Sequence, residues 1–150
     1  MIIFVLRHAD RVSETVDALS EKGNVRAKLL ARMLAQSHVS NAYCSDAKRT
    51  RATIAPLEAK LGARLKVEEV PVGEDTSAHV QAIVTALQAL PTDSTAAVIG
   101  HSNTIGKIIK ALTGEVITPI GLSEFDNLFV FSIPPGSPSV TLLKYGAPTP

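Results

Sequence analysis

Ile2-Ile3-Phe4-Val5-Leu6 is an unbroken apolar run of strand length, and it constrains the fold more than any other stretch. A half-exposed strand alternates apolar and polar residues. A continuous run fits a central strand covered on both faces, as in a parallel or mixed sheet held between helices. The rest of the chain supplies the covers. After Leu19, Ser20 with Glu21 and Gly23 opens a segment in which Val25, Leu29, Leu30, Met33 and Leu34 recur at helical spacing. A second strand is expected over 39–45, then a helix over about 47–60, capped by Asp46 and closed near Gly62. Leu65 to Val72 reads as a strand and Gly73-Glu74-Asp75-Thr76 as a loop. Val80, Ile83, Val84, Leu87 and Leu90 then mark a helix that Pro91 stops. Ala96 to Ile99 is a short buried strand, and Ile105, Ile108, Ile109 and Leu112 make an amphipathic helix ended by Gly114. Two closing strands, 128–133 and 140–145, flank the turn-rich Pro134-Pro135-Gly136-Ser137-Pro138. The alternation predicts one α/β domain over residues 1–150, a three-layer sandwich with a mostly parallel central sheet flanked by helices.

Charge and cysteine content narrow the function. Fifteen basic residues against fourteen acidic ones, with 4% aromatics, give neither the electrostatic footprint nor the stacking surface of a nucleic-acid binder. The single cysteine, Cys44, excludes an internal disulfide framework and reads as a buried small hydrophobe, and the four histidines lack zinc-type spacing. The apolar start meets Arg7 too early for a signal peptide or a membrane span, so the expectation is a soluble, cytoplasmic protein with no membrane partner.

In sheets of this kind ligands bind beyond the carboxyl ends of the strands. Three polar clusters fall there: Arg7-His8, Ser45 to Arg51, and Gly100-His101-Ser102. Two imidazoles and two or three guanidiniums suit a phosphate. Arg7 and Arg49 would hold its oxygens through charge-assisted bonds of about 1.5 to 3 kcal/mol each. Helices starting near Ala47 and Thr104 would add backbone donors, and no metal or organic cofactor is then required. A neutral imidazole is a competent nucleophile at phosphorus once its second nitrogen is fixed, which suits His8. His101, if cationic, would stabilise charge on the equatorial oxygens, with Ser102 beside it. The leaving alkoxide needs an acid from the loop side; Glu74 is the first candidate, Asp75 and Asp10 the alternatives. Asp10 and Arg11 are expected at the mouth of the site or in an exposed ion-pairing loop, and His38 and His79 at the surface.

Arg7-His8, Ser45-Asp46-Ala47-Lys48-Arg49-Thr50-Arg51-Ala52-Thr53 and Gly100-His101-Ser102-Asn103-Thr104 together resemble the histidine phosphatase superfamily, the clan of phosphoglycerate mutases and histidine acid phosphatases. The likeness extends over almost the whole chain, through the closing Glu124-Phe125-Asp126-Asn127-Leu128. It implies a phosphohistidine intermediate on His8, a phosphate pocket of Arg7, Arg49 and His101, and no cofactor. The family's usual Arg-His-Gly reads Arg7-His8-Ala9 here, which matters only if that position requires positive φ. The family supplies its acid and its substrate selectivity from insertions absent from this chain. A compact open site admits water, which favours a phosphatase acting on a small phosphomonoester or a phosphoprotein over a mutase. A phospholigand-binding module without turnover is the reading from a different class. Gly100-His101-Ser102-Asn103-Thr104 is also similar to a serine nucleophile elbow, but Thr104 replaces the final glycine and no histidine follows His101.

Overall fold

The apolar run becomes β1 (Ile2–Arg7), which pairs parallel with β6 (Thr95–Gly100) on one side and antiparallel with β7 (Asn127–Ser132) on the other. The structure is a computed structural model describing residues 1–150. Beyond β6 lie β4 (Asn41–Cys44) and β5 (Lys66–Glu69), both parallel to it; beyond β7 lies the antiparallel β8 (Thr141–Lys144). The six-stranded order β5-β4-β6-β1-β7-β8 is therefore mostly parallel, with an antiparallel edge. Four helices, α1 (Glu21–Leu34), α2 (Lys48–Leu61), α3 (Thr76–Gln88) and α4 (Ile105–Thr113), complete a three-layer α/β arrangement.

Each face of the sheet carries its own core, which accounts for the unbroken apolar run. Ile3 and Val5 pack with Ala96, Val98 and the inner faces of α3 and α4. Leu6, Ala97 and Ile99 point the other way, onto α1 and α2 through Leu30, Ala31, Ile54 and Leu57. Fully burying a side chain of this size contributes about 1.5 to 3 kcal/mol, so a polar residue on either face of β1 would be costly. Ser20 caps α1 by accepting from the amide of Gly23 at 3.1 Å. A side chain at Gly23 would put a Cβ 2.0 Å from the Asp10 carbonyl oxygen, so α1 approaches the loop after β1 at a point where only glycine fits.

Several local expectations change. The segment after β1 is a small hairpin, β2 (Arg11–Ser13) with β3 (Val16–Leu19), and it stands as its own two-stranded sheet. Val25 and Met33 are exposed; Ala27, Leu30, Ala31 and Leu34 form the inner face of α1 together with Arg26. Asp46 does not cap α2, whose N-cap position is Ala47; its carboxylate instead accepts from the amide of Val72 at 3.2 Å. His79 is buried, because it falls one turn before Ile83 on the inner face of α3, and its Nδ1 donates to the Pro71 carbonyl at 3.2 Å. His38 is exposed and Cys44 buried, as the sequence suggests.

Asp10 and Arg26 form a buried ion pair, Nε to Oδ2 at 2.6 Å and Nη2 to Oδ1 at 3.4 Å. Arg26 also donates to the carbonyls of Tyr145 and Ala147 at 2.6 and 2.8 Å. One guanidinium thus ties the loop after β1, α1 and the C-terminal segment together. Removing one partner strands a buried charge. Arg26→Met is expected to lower the unfolding free energy by about 3 to 5 kcal/mol, measured by urea denaturation at neutral pH. Adding Asp10→Asn should recover much of the loss, and an unchanged midpoint in the single variant would refute this account.

Candidate active site

Strand register brings the three polar clusters to one level. Arg7 lies opposite Gly100 and Cys44 opposite Ile99, so His8, Ser45 and His101 leave the sheet side by side at its carboxyl end. The amide of His8 donates to the Gly100 carbonyl at 2.9 Å, and that of Ala9 to Thr53 Oγ1 at 2.9 Å, which anchors the loop to α2. Ala9 is fully buried and lacks positive φ, so a methyl group is accommodated where the family pattern has glycine.

His8 is 1% exposed, with Nδ1 2.8 Å from the carbonyl oxygen of Ala9. A carbonyl only accepts, so Nδ1 carries the proton and the Nε2 lone pair is bare. Burial holds the His8 pKa down to about 3, against the opposing pull of the Ala9 bond, with Arg7, His101 and Arg49 adding like-charge repulsion. The ring lies 5.5 Å from His101 and 5.8 Å from Phe125, centroid to centroid.

Arg7 is fixed from above. Its Nη1 donates to the carbonyls of Gly121, Leu122 and Glu124 at 2.8 to 3.0 Å, and its guanidinium stacks 4.1 Å from the Phe125 ring. Burial, then Arg11 and Arg49, lower its pKa to about 10, which leaves it cationic at neutral pH. Arg49 divides its fork: Nη1 pairs with Asp17 at 3.0 Å and Nη2 lies 3.3 Å from His101 Nδ1. The Nε atoms of Arg7 and Arg49 are both buried with no protein acceptor.

These contacts fix the protons on His101. Arg49 Nη2 can only donate, so His101 Nδ1 accepts and Nε2–H donates to Ser45 Oγ at 2.8 Å. Ser45 then donates to Thr50 Oγ1 at 2.9 Å, and Thr50 to the carbonyls of Ser45 and Ala47. His101 is accordingly neutral here, not cationic: burial first, and Arg49 second, depress its pKa to about 4.

A cavity of about 520 Å³ joins these groups, walled by Arg7, His8, Arg49, His101 and Ser102, with Arg11, Asp17, Asp46, Val72 and Asn103 around them. Five of the six residues expected at the site thus meet. Glu74 does not: it is exposed, and its loop contributes Val72 to the wall instead. Among the alternative acids, Asp75 caps α3 through the amide of Ser77 at 2.9 Å, and Asp10 is held by Arg26. Nor are the first two amides of α2 free, because Asp17 accepts from Lys48 N at 2.9 Å and Arg49 N at 3.0 Å. Sequence reasoning missed Asp17; the only signal was the alternation in Val16-Asp17-Ala18-Leu19, too short to mark a hairpin. No three His, Cys, Asp or Glu side chains are grouped so as to hold a metal ion.

Residues 6–71 match the family model of the histidine phosphatase superfamily, branch 1. Solved structures share the fold across nearly the whole chain. The protein histidine phosphatase SixA complexed with tungstate is 21% identical, with a TM-score of 0.67 and coverage of 95% of this chain and 94% of that one. The match is thus to the first part of the chain, while the likeness in fold extends over nearly all of it. Within that fold, a mycobacterial glucosyl-3-phosphoglycerate phosphatase is 16% identical at a TM-score of 0.68, covering 98% of this chain and 99% of its own. Phosphoglycerate mutase from Plasmodium falciparum is 17% identical at 0.60, covering 97% and 89%. Sequence comparison with curated proteins finds no match. The matched segment holds the first two polar clusters, and His101 joins them only through the fold. No helix of the chain is long and apolar enough to cross a membrane.

The depressed pKa values of His8 and His101 set a pH dependence of stability. Both lie below the unfolded value of about 6.5, so the unfolded chain binds protons first on acidification. Their contribution is full above that value and is lost as pH falls toward about 4 and 3. Buried His8 alone should lose up to about 2 kcal/mol between pH 7 and 5. Urea midpoints should therefore fall over that range, and less steeply in His8→Asn; a slope unchanged by that substitution would count against a buried neutral His8.

Proposed function

We propose that the chain is a phosphatase that hydrolyses a phosphomonoester or a phosphorylated protein side chain through a phosphohistidine intermediate on His8. The observation that carries this reading is the 2.8 Å bond from His8 Nδ1 to the Ala9 carbonyl, which leaves Nε2 unprotonated in a cavity walled by two arginines and a second histidine. The similarity in fold to structures named as a protein histidine phosphatase and a glucosyl-3-phosphoglycerate phosphatase supports the same reaction class.

Arg7 and Arg49 neutralise the bound phosphoryl group without a metal, and their unsatisfied Nε donors are consistent with an oxygen-rich anionic ligand. A dianion beside His101 raises its proton affinity, so Nδ1 takes a proton on binding rather than before, and Arg49 Nη2 turns its N–H from that nitrogen to a phosphate oxygen. Nε2 of His8 then gives its lone pair to phosphorus as the bond to the leaving oxygen breaks, and that oxygen keeps the bonding electrons and takes a proton from solvent water. In the second half a water oxygen forms the new bond to phosphorus and gives up a proton to solvent, the P–N bond breaks, and its electrons return to Nε2. Phosphate and neutral His8 result.

Acid help for the leaving group is the weak element of the site. Asp17 is held down to about 2 by the Lys48 and Arg49 donors and stays ionised, and Glu74 stands outside the wall in solvent. General acid catalysis contributes roughly 10² to 10⁴ in rate. A site that lacks it favours leaving groups of low basicity, such as a phenolate or a protein imidazole.

Acid-quenched enzyme should lose label from a phosphorylated substrate while alkali-quenched enzyme keeps it, and His8→Ala should abolish both labelling and turnover with the fold intact by circular dichroism. Retention of label in acid would instead place the phosphoryl group on a serine. Alkyl phosphates should turn over at least ~100-fold more slowly than aryl phosphates, with Glu74→Gln altering neither rate. A selective loss on alkyl substrates in that variant would give Glu74 the acid role.

A further inference from the structure

We propose that Asp17 is the positioning residue for Arg49, holding its guanidinium so that Nη2 stands beside His101 at the edge of the phosphoryl site. The inference rests on the proposed phosphate-binding role of Arg49 and adds a residue that no sequence motif marks. Asp17 Oδ1 accepts from both the backbone amide of Arg49, at 3.0 Å, and its side-chain Nη1, also at 3.0 Å. One oxygen therefore bonds both ends of the same residue, which fixes the side chain relative to its own backbone. Oδ2 accepts from Lys48 N at 2.9 Å and stops the carboxylate from turning. With Nη1 engaged in this way, Nη2 is left 3.3 Å from His101 Nδ1, inside the cavity.

The Asp17 side chain is 42% exposed and that of Arg49 21%. An ion pair this open contributes little to folding, so its consequence lies in orientation. Long arginine side chains lose several rotamers when they bind an anion, and a guanidinium already in place spares the substrate that cost. Asp17 also caps a helix that lacks a side-chain cap of its own. Capping alone is a structural role, and the test must separate the two.

A double-mutant cycle does so. kcat/KM for phenyl phosphate and the dissociation constant of inorganic phosphate would be measured for the wild type, Asp17→Ala, Arg49→Ala and the double variant. Asp17→Ala alone is expected to weaken both by about 10-fold, and to weaken neither further once Arg49 is alanine. A comparable further loss in the Arg49→Ala background would show that Asp17 acts only as a cap, and no loss in the single variant would also overturn the proposal. Should Asp17→Ala fail to fold, Asp17→Asn, which keeps a capping oxygen, takes its place in the cycle. Calorimetric phosphate binding runs the same cycle without turnover. A wild type that binds phosphate but releases none from phenyl phosphate would therefore count against the proposed activity and leave the Asp17 cycle readable.

Discussion

Burial of β1 on both faces governs where the chemistry can stand. Because Ile3 and Val5 belong to one core and Leu6 to the other, the strand cannot slide by a residue without placing its whole pattern on the wrong faces. Its register against β6 is thereby fixed, and with it the level at which Arg7 meets Gly100. β4 is locked to β6 in the same way, with Cys44 beside Ile99. His8, Ser45 and His101 are each the first or second residue past those pairs. Their convergence follows from core packing and needs no interaction among the polar groups themselves.

What those groups require of one another is electrostatic. Arg7, Arg11 and Arg49 surround one cavity, and like charges brought together disfavour the charged state. Arg7 is sustained by three backbone carbonyls and the face of Phe125, and Arg49 by the Asp17 carboxylate. The histidines respond in the opposite sense: both are kept neutral by burial and by the same cations. A neutral His8 is the form with a lone pair, so the cationic surroundings that would bind a phosphate also preserve the nucleophile.

The strands, the helices and the three polar clusters were legible because each is written in a short local pattern. Apolar runs gave β1 and β6, helical spacing gave α1, α3 and α4, and Gly114 closed α4 at φ 79°. Misread features depend on contacts between distant segments. The β2–β3 hairpin is exposed and only three or four residues per strand, too short for its apolar pattern to mark it, and Asp17 reaches α2 across more than thirty residues. Asp46 looked like a cap from its neighbours, yet the cap comes from Asp17 and Asp46 turns to Val72. Glu74 reaches the site only if β5 runs to Val72, whereas the strand ends at Glu69; Val72 then meets the wall and Glu74, two residues on, is exposed. His79 is a different case: its spacing from Ile83 and Leu87 marks the inner face of α3, a signal present in the sequence itself.

The missing acid and the added carboxylate have one origin in the loops. The segment after β5 ends in a short turn that contributes a valine to the cavity, so nothing there delivers a proton to a basic leaving group. The segment after β1 instead folds back as a hairpin and spends its carboxylate on Arg49 and the first turn of α2. An ionised Asp17 held near pKa 2 cannot serve as an acid, and the Arg49 guanidinium that helps hold it there is the one assigned to the phosphoryl group in the proposed reaction. On the proposed function, the site would be organised around orienting and neutralising the phosphoryl group more than around the group it leaves. If the proposed phosphatase reaction is the one this site performs, its selectivity would fall on the basicity of the leaving atom and on what the open mouth can admit, and an imidazole or phenol carried on a larger molecule would meet both conditions.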